Sequence, residues 1–139
     1  MNDYMSMALH IAEDWLNAVS ESVKNKDINA HMRLISKHVH VYGIPGIKSL
    51  NYQQWLYRRH NEFLHDRLYG LKYKIIRIKN DQLRRLGFEV EEQMIATEGK
   101  AYIIHKDILL EREQDDNWRV VEEKIYSWQK LEIGHQLNG

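Results

Sequence analysis

At Gly70 the hydrophobic period of this chain changes from about 3.6 residues to 2, and it stays at 2 as far as Trp128. Four strand-like segments fill that half: Leu71 to Lys79, Leu86 to Thr97, Ala101 to Arg112 and Trp118 to Trp128. Glu98-Gly99-Lys100 has the composition of a tight hairpin turn, and Gln114-Asp115-Asp116-Asn117 that of a polar turn. No helical segment interrupts the series, so the strands are expected to form an antiparallel meander, not a parallel sheet of crossover units. Adjacent Ile75 and Ile76 break the alternation of the first strand and predict a bulge there.

The half before Gly70 is mostly helical. Ala8, Ile11, Ala12, Trp15, Leu16, Val19 and Val23 recur at three- and four-residue steps, the stripe of an amphipathic helix. Asp27 is placed to cap a short second helix carrying Ile28, Met32 and Ile35. His38-Val39-His40-Val41-Tyr42 alternates as a strand and ends at Gly43-Ile44-Pro45-Gly46. Ser49 or Asn51 then caps a long helix with the stripe Tyr52, Trp55, Leu56, His60, Phe63, Leu64 and Leu68. Helices first and long strands afterwards specify an α+β fold: N-terminal helices packed in the concave face of a curved, mostly antiparallel sheet, forming a cone with a pocket. Residues 1–139 make one domain's length, with a core at about 8–128 and a tail, 130–139, expected to be loose.

Charge and composition exclude several roles. Twenty basic residues balance twenty acidic ones, so no overall field draws the chain to nucleic acid or to a membrane surface. Basic residues from Arg67 to Arg85 face a run of glutamates from Glu89 to Glu98, which suits cross-strand pairing better than a nucleic-acid patch. No apolar run approaches the ~20 residues of a membrane span. Met1 to Met5 carries an acid and no basic segment, so no signal peptide is expected. The chain has no cysteine, which excludes disulfides and thiolate chemistry and fits a reducing cytoplasm.

Three short stretches carry a family likeness. Lys26-Asp27-Ile28 with Leu34-Ile35-Ser36, then His40-Val41-Tyr42-Gly43-Ile44-Pro45-Gly46, then Asn117-Trp118-Arg119-Val120-Val121 resemble the second-helix entry, first strand and turn, and last-strand opening of the nuclear transport factor 2-like superfamily. That superfamily is also called SnoaL-like or cystatin-like α+β, and the likeness covers about Ala8 to Trp128. It implies a conical fold with a pocket, in a group that holds ketosteroid isomerase, polyketide cyclases, scytalone dehydratase, limonene epoxide hydrolase and oligomerisation domains. The isomerase's catalytic base would fall near Gly43, which cannot take a proton, and its second aspartate near His105 or Lys106. The likeness therefore implies a pocket without the isomerase chemistry.

Apolar walls with a few polar tips mark small-molecule sites, and Trp15, His40, Tyr42, Trp55, His60, Met94 and Tyr126 have that character. The same aromatics at helical spacing would equally serve as plain core. His60 interrupts an apolar stripe, where a buried imidazole titrates near neutrality and needs a partner. In the last strand, alternation turns either Glu122 or Glu123 inward, and an enclosed carboxylate can act as acid or base. Glu122 would share its face with Lys124 and Tyr126. His38-x-His40 and His105-x-Asp107 could each chelate a metal, and a later His135 mimics a facial triad, but that chemistry needs a different, double-sheet barrel.

These readings converge on a protein binding or transforming a small apolar or aromatic molecule by acid–base chemistry, with no metal and no cofactor. His60, Tyr42, Glu122 and Tyr126 are the expected catalytic groups, and Trp15, His40, Trp55, Met94 and His105 the expected ligand contacts. The alternative is a non-catalytic dimerisation or ligand-sensing domain, whose cone Trp15, Trp55 and Met94 would fill. Ala101 to Leu110 is apolar on both alternating faces, which predicts a homodimer covering the second face.

Overall fold

Residues 3–97 and 99–132 are described by a computed structural model. Helix α1, Asp3–Lys24, buries the predicted stripe: Ala8, Ala12, Trp15, Leu16, Val19 and Val23 are all at most 5% exposed. It stops where Lys26 takes a left-handed conformation and the amides of Asn25, Lys26 and Asp27 turn back onto the carbonyls of the last turn. Asp27 caps α2, Ile28–Met32, by accepting from the Ala30 amide at 3.0 Å. Ile35, expected on that helix, instead opens strand β1, Ile35–Tyr42. The helix has only five residues, too few for periodicity to mark its end. Helix α3, Tyr52–Leu64, starts at a reciprocal capping box between Asn51 and Gln54.

Strands β2 (Leu68–Gln82), β3 (Arg85–Ala96), β4 (Lys100–Arg112) and β5 (Trp118–Glu132) form the antiparallel meander. Strand β1 joins it parallel to β5, giving one sheet in the order β1-β5-β4-β3-β2. Leu68, expected on the third helix, belongs to β2. Of the tail expected to be loose, Lys130, Leu131 and Glu132 continue β5; residues 133–139, with His135, lie outside the described residues, as does Glu98 of the turn between β3 and β4.

The bulge predicted at Ile75–Ile76 is present, since the register with β3 slips between Ile75 and Arg77. Bulges increase twist and bend a sheet, and β5 carries more of them. The concave face so made holds Phe88, Val90, Ile108, Leu110 and Val120, each at most 1% exposed and packed in one core with the apolar stripe of α1, and Ile104, equally buried, farther along β4. Side chains of this kind each contribute roughly 1.5–3 kcal/mol on burial. Oppositely charged residues pair across the outer face, as Arg77 does with Glu89 at 2.9 Å and Arg85 with Glu111 at 2.9 Å. No helix among the described residues is long and apolar enough to cross a membrane.

Candidate functional site

Even-numbered residues of β3 and β4 point into the cone, and two buried ones are charged: Glu92 among Phe88, Val90 and Met94, and Lys106 between Ile104 and Ile108. Strand β5 would continue this parity were it regular. It carries an extra residue at Val121 and another at Tyr126, as its register with β4 shows. Each extra residue swaps the faces. Between the two bulges the odd residues Glu123 and Ile125 therefore face inward. Glu123 is 4% exposed, Glu92 1% and Lys106 5%.

The three charges meet on the wall of the cone. Lys106 Nζ donates to Glu123 Oε1 at 2.7 Å and stands 2.9 Å from Glu92 Oε1. That second approach is off the direction of a hydrogen bond, so Glu92 Oε1 is buried without a directed donor. Burial alone would lower the Lys106 ammonium, but the charges of Glu123 and Glu92 hold it above the ordinary lysine value. Burial alone would raise Glu92, but Lys106, Tyr73 and Arg59 hold it below the ordinary carboxylate value. Both partners are thus charged at neutral pH. The Tyr73 phenol, pushed well up by burial and then by the Glu92 charge, stays protonated beside them.

Helix α3 closes one side of the cone. Its inward face carries Trp55, Arg59 and Phe63. Arg59 donates through Nη1 to Glu62 at 2.9 Å and through Nε to His31 Nε2 at 3.3 Å. Trp55 Nε1 donates to the same His31 nitrogen at 3.1 Å. Ser22 Oγ gives its proton to the Val19 carbonyl at 2.7 Å, so it accepts from His31 Nδ1 at 3.0 Å. The hydrogen bonds therefore fix a neutral imidazole protonated at Nδ1. Burial, with the charges of Arg59 and Lys106, pushes His31 well below the usual histidine value.

Between α3 and the sheet lies a cavity of about 250 Å³. Its apolar wall includes Val41, Ile44, Met94, Ile104, Ile125 and Trp128, and its polar wall Glu92, Lys106, Glu123, Arg59 and Glu62. Arg58 and Arg67, both exposed, stand at its mouth. Gly43, at φ 91°, lies against β5 beside it, where a Cβ would collide with the Ile125 carbonyl oxygen.

Several expected residues lie elsewhere. His60 is exposed, because the face of α3 that meets the sheet is centred on Trp55 and Arg59 and passes His60 on its flank. The buried imidazole is His31. Glu122 faces away from the cone with Lys124, because the bulge at Val121 gives the inward position to Glu123. Tyr126 is 60% exposed at the second bulge, where its hydroxyl contacts Asp107. Tyr42 is 37% exposed and stacks on exposed His40 at the end of β1. Trp15 is core, donating from its indole to the Leu34 carbonyl at 3.1 Å. Trp55 and Met94 do line the cavity. His105 sits on the outer face, hydrogen-bonded to Ser127 at 2.9 Å and Glu91 at 3.0 Å. This row imitates a Ser-His-Glu triad but lies on a paired sheet, whose amides are committed to the ladder and cannot cradle an oxyanion.

A wider groove of about 1010 Å³ lies toward the other end of the strands, among Arg33, Lys37, Arg84, Arg112, Glu113 and Arg119. Its charges are largely satisfied at the surface, Arg119 by Glu113 and Asp115, and Arg112 by Asp116. The smaller cavity is the better site because its charges are buried. No group of three potential metal ligands is assembled among the described residues.

The arrangement of α3, the bulged meander and the cone can be set against solved structures. A nuclear transport factor 2-like protein of unknown function from Shewanella oneidensis MR-1 superposes with a TM-score of 0.71 at 15% identity, over 86% of this chain and 98% of that one. A protein of Novosphingobium aromaticivorans DSM 12444, provisionally assigned as a scytalone dehydratase, gives 0.71 at 10% identity over 95% and 91%. A ketosteroid isomerase-like protein of Erwinia carotovora atroseptica SCRI1043 gives 0.62 at 12% identity over 91% and 99%. The chain has the nuclear transport factor 2-like fold. No family model and no curated protein matches its sequence. The likeness fixes the nuclear transport factor 2-like cone and leaves its use to the residues inside it.

Proposed function

We propose that the chain binds a small apolar or aromatic molecule in the cone and acts on it by proton transfer, without a cofactor. The observation that carries this reading is the Lys106–Glu92–Glu123 cluster on the cavity wall. Apolar residues of equal volume would hold a core together at least as well as a buried ion cluster. Such a cluster bordering a cavity is therefore better explained by chemistry than by stability. Lys106 directs one proton at Glu123 and has others that it can donate to a ligand oxygen. Glu123 has a second oxygen with which to accept a ligand proton. A cavity of about 250 Å³ exceeds the roughly 150 Å³ that holds benzene, so a substituted single ring fits. Scytalone dehydratase and ketosteroid isomerase-like neighbours agree with a ligand-bearing cone.

The test is native mass spectrometry of the purified chain, with ligand-induced shifts in NMR spectra of the wild type and Glu123→Gln. A retained single-ring molecule whose turnover is lost in Glu123→Gln, with binding kept, supports the enzyme. Binding with no turnover in the wild type favours the alternative, a ligand-sensing domain. No bound species, and no response of cavity residues to any small aromatic probe, removes both. We further propose that the chain forms a homodimer through the outer face of the sheet and works in the cytoplasm, whose reducing conditions its cysteine-free sequence suits.

A further inference from the structure

From the polarity of the cavity we infer that its ligand is a small aromatic acid with a hydroxyl or amine at the end remote from its carboxylate. This rests on the cone being a small-molecule site and adds which class of molecule it selects.

The charges lining the cavity are separated along its depth. At the buried end one ammonium, Lys106, faces two carboxylates, Glu92 and Glu123. That end is rich in acceptors, and Glu92, 1% exposed, has an oxygen with no directed donor. Midway, Arg59 and Glu62 neutralise each other at 2.9 Å. At the mouth, Arg58 and Arg67 make no ion pair among the described residues. The cavity thus offers excess negative charge deep inside and two free guanidinium groups at its entrance.

Each end recognises a different group. A guanidinium pairs with a carboxylate through two parallel N–H bonds, and such charged hydrogen bonds are stronger than neutral ones. A buried carboxylate left without enough donors is costly, so a ligand O–H or N–H delivered to Glu92 or Glu123 lowers that cost. Between them Trp128, Met94, Ile104 and Ile125 provide an apolar slot for a ring. A neutral phenol satisfies only the deep end. A simple aromatic acid satisfies only the mouth. A ring bearing both groups at opposite positions satisfies each at once, and a desolvated site that expects a donor discriminates strongly against ligands lacking it.

The experiment titrates the whole chain with 4-hydroxybenzoate, benzoate and phenol, using calorimetry for affinity and backbone NMR for location. The expected result is 4-hydroxybenzoate binding at least about tenfold tighter than either of the others. The double variant Arg58→Gln, Arg67→Gln, altered only at exposed positions, should lose that advantage and leave phenol binding unchanged. Added salt should weaken 4-hydroxybenzoate more than phenol. Phenol binding as tightly as 4-hydroxybenzoate, or a double variant with unchanged preference, overturns the inference and leaves the cone as a ligand site. Shifts confined to the groove around Arg33 and Lys37 overturn it as well. If none of the three probes moves a cavity resonance, the inference fails together with the reading beneath it.

Discussion

The imidazole of His31 receives two N–H groups at Nε2, from Trp55 and Arg59, and gives its own proton at Nδ1 to Ser22. A second proton has no acceptor to meet on that ring, and burial, with the charges of Arg59 and Lys106, depresses its pKa. The folded state therefore binds fewer protons than the unfolded state, whose histidines titrate near 6.5. Stability from this group is present above pH 6.5 and falls as the pH drops toward the depressed folded value. Urea unfolding at pH 6.5 and 5.5 should show a loss of about 1 kcal/mol that is missing in His31→Gln, which keeps an acceptor for Trp55 and does not titrate. An identical pH slope in the variant would show that His31 is protonated in the fold. Lys106 allows a second comparison. Lys106→Met leaves two buried carboxylates facing each other and should cost about 3–5 kcal/mol, whereas replacing all three charges with apolar residues should restore most of it. Chemical denaturation of the single and triple variants measures both.

Helix α3 brings Trp55, Arg59 and Glu62 to the cavity, and Asn51 begins it by accepting from the Gln54 amide at 2.9 Å while Gln54 returns the bond at 2.8 Å. Asn51→Ala should cost about 1 kcal/mol and lower the melting temperature by about 4 °C, with Asn51→Asp close to wild type; thermal melts followed by circular dichroism check this. The cap, the stripe of α1, the meander and the bulge at Ile75–Ile76 could all be read from the sequence, because each rests on local periodicity or turn chemistry. The site could not be read so directly. The doublets Val120–Val121 and Ile125–Tyr126 carry the same signal as Ile75–Ile76, and reading them as bulges would have turned Glu123 inward in place of Glu122. Glu92 and Lys106 each break an apolar parity class on neighbouring strands, and that coincidence was the available sign of the buried cluster. His31 had no such sign, since the short α2 has no period and its partners lie on α1 and α3.

The convex face of the sheet is not a uniform polar surface. Ile103 and Leu109 of β4 lie on it half-buried, Ala101 is fully covered, and exposed Ile76 and Tyr126 lie near charged rows of both signs. A face open to water on a single-layer sheet would alternate polar residues at those positions. Carrying both signs of charge, it can meet a copy of itself about a two-fold axis, each acidic row facing a basic one. Light scattering at micromolar protein should therefore give twice the chain mass of 16.7 kDa. In the homodimer proposed above, Leu109→Lys adds an ammonium to the shared face of each copy, and the added like charges repel. It should give the monomer mass, with circular dichroism unchanged, because position 109 points away from the core that holds Ile108 and Leu110. Charge repulsion is screened by salt, so raising the ionic strength should recover part of the dimer in the variant and little change the wild type. A wild-type chain that scatters as a monomer would mean that this face meets water directly and that the cone works alone.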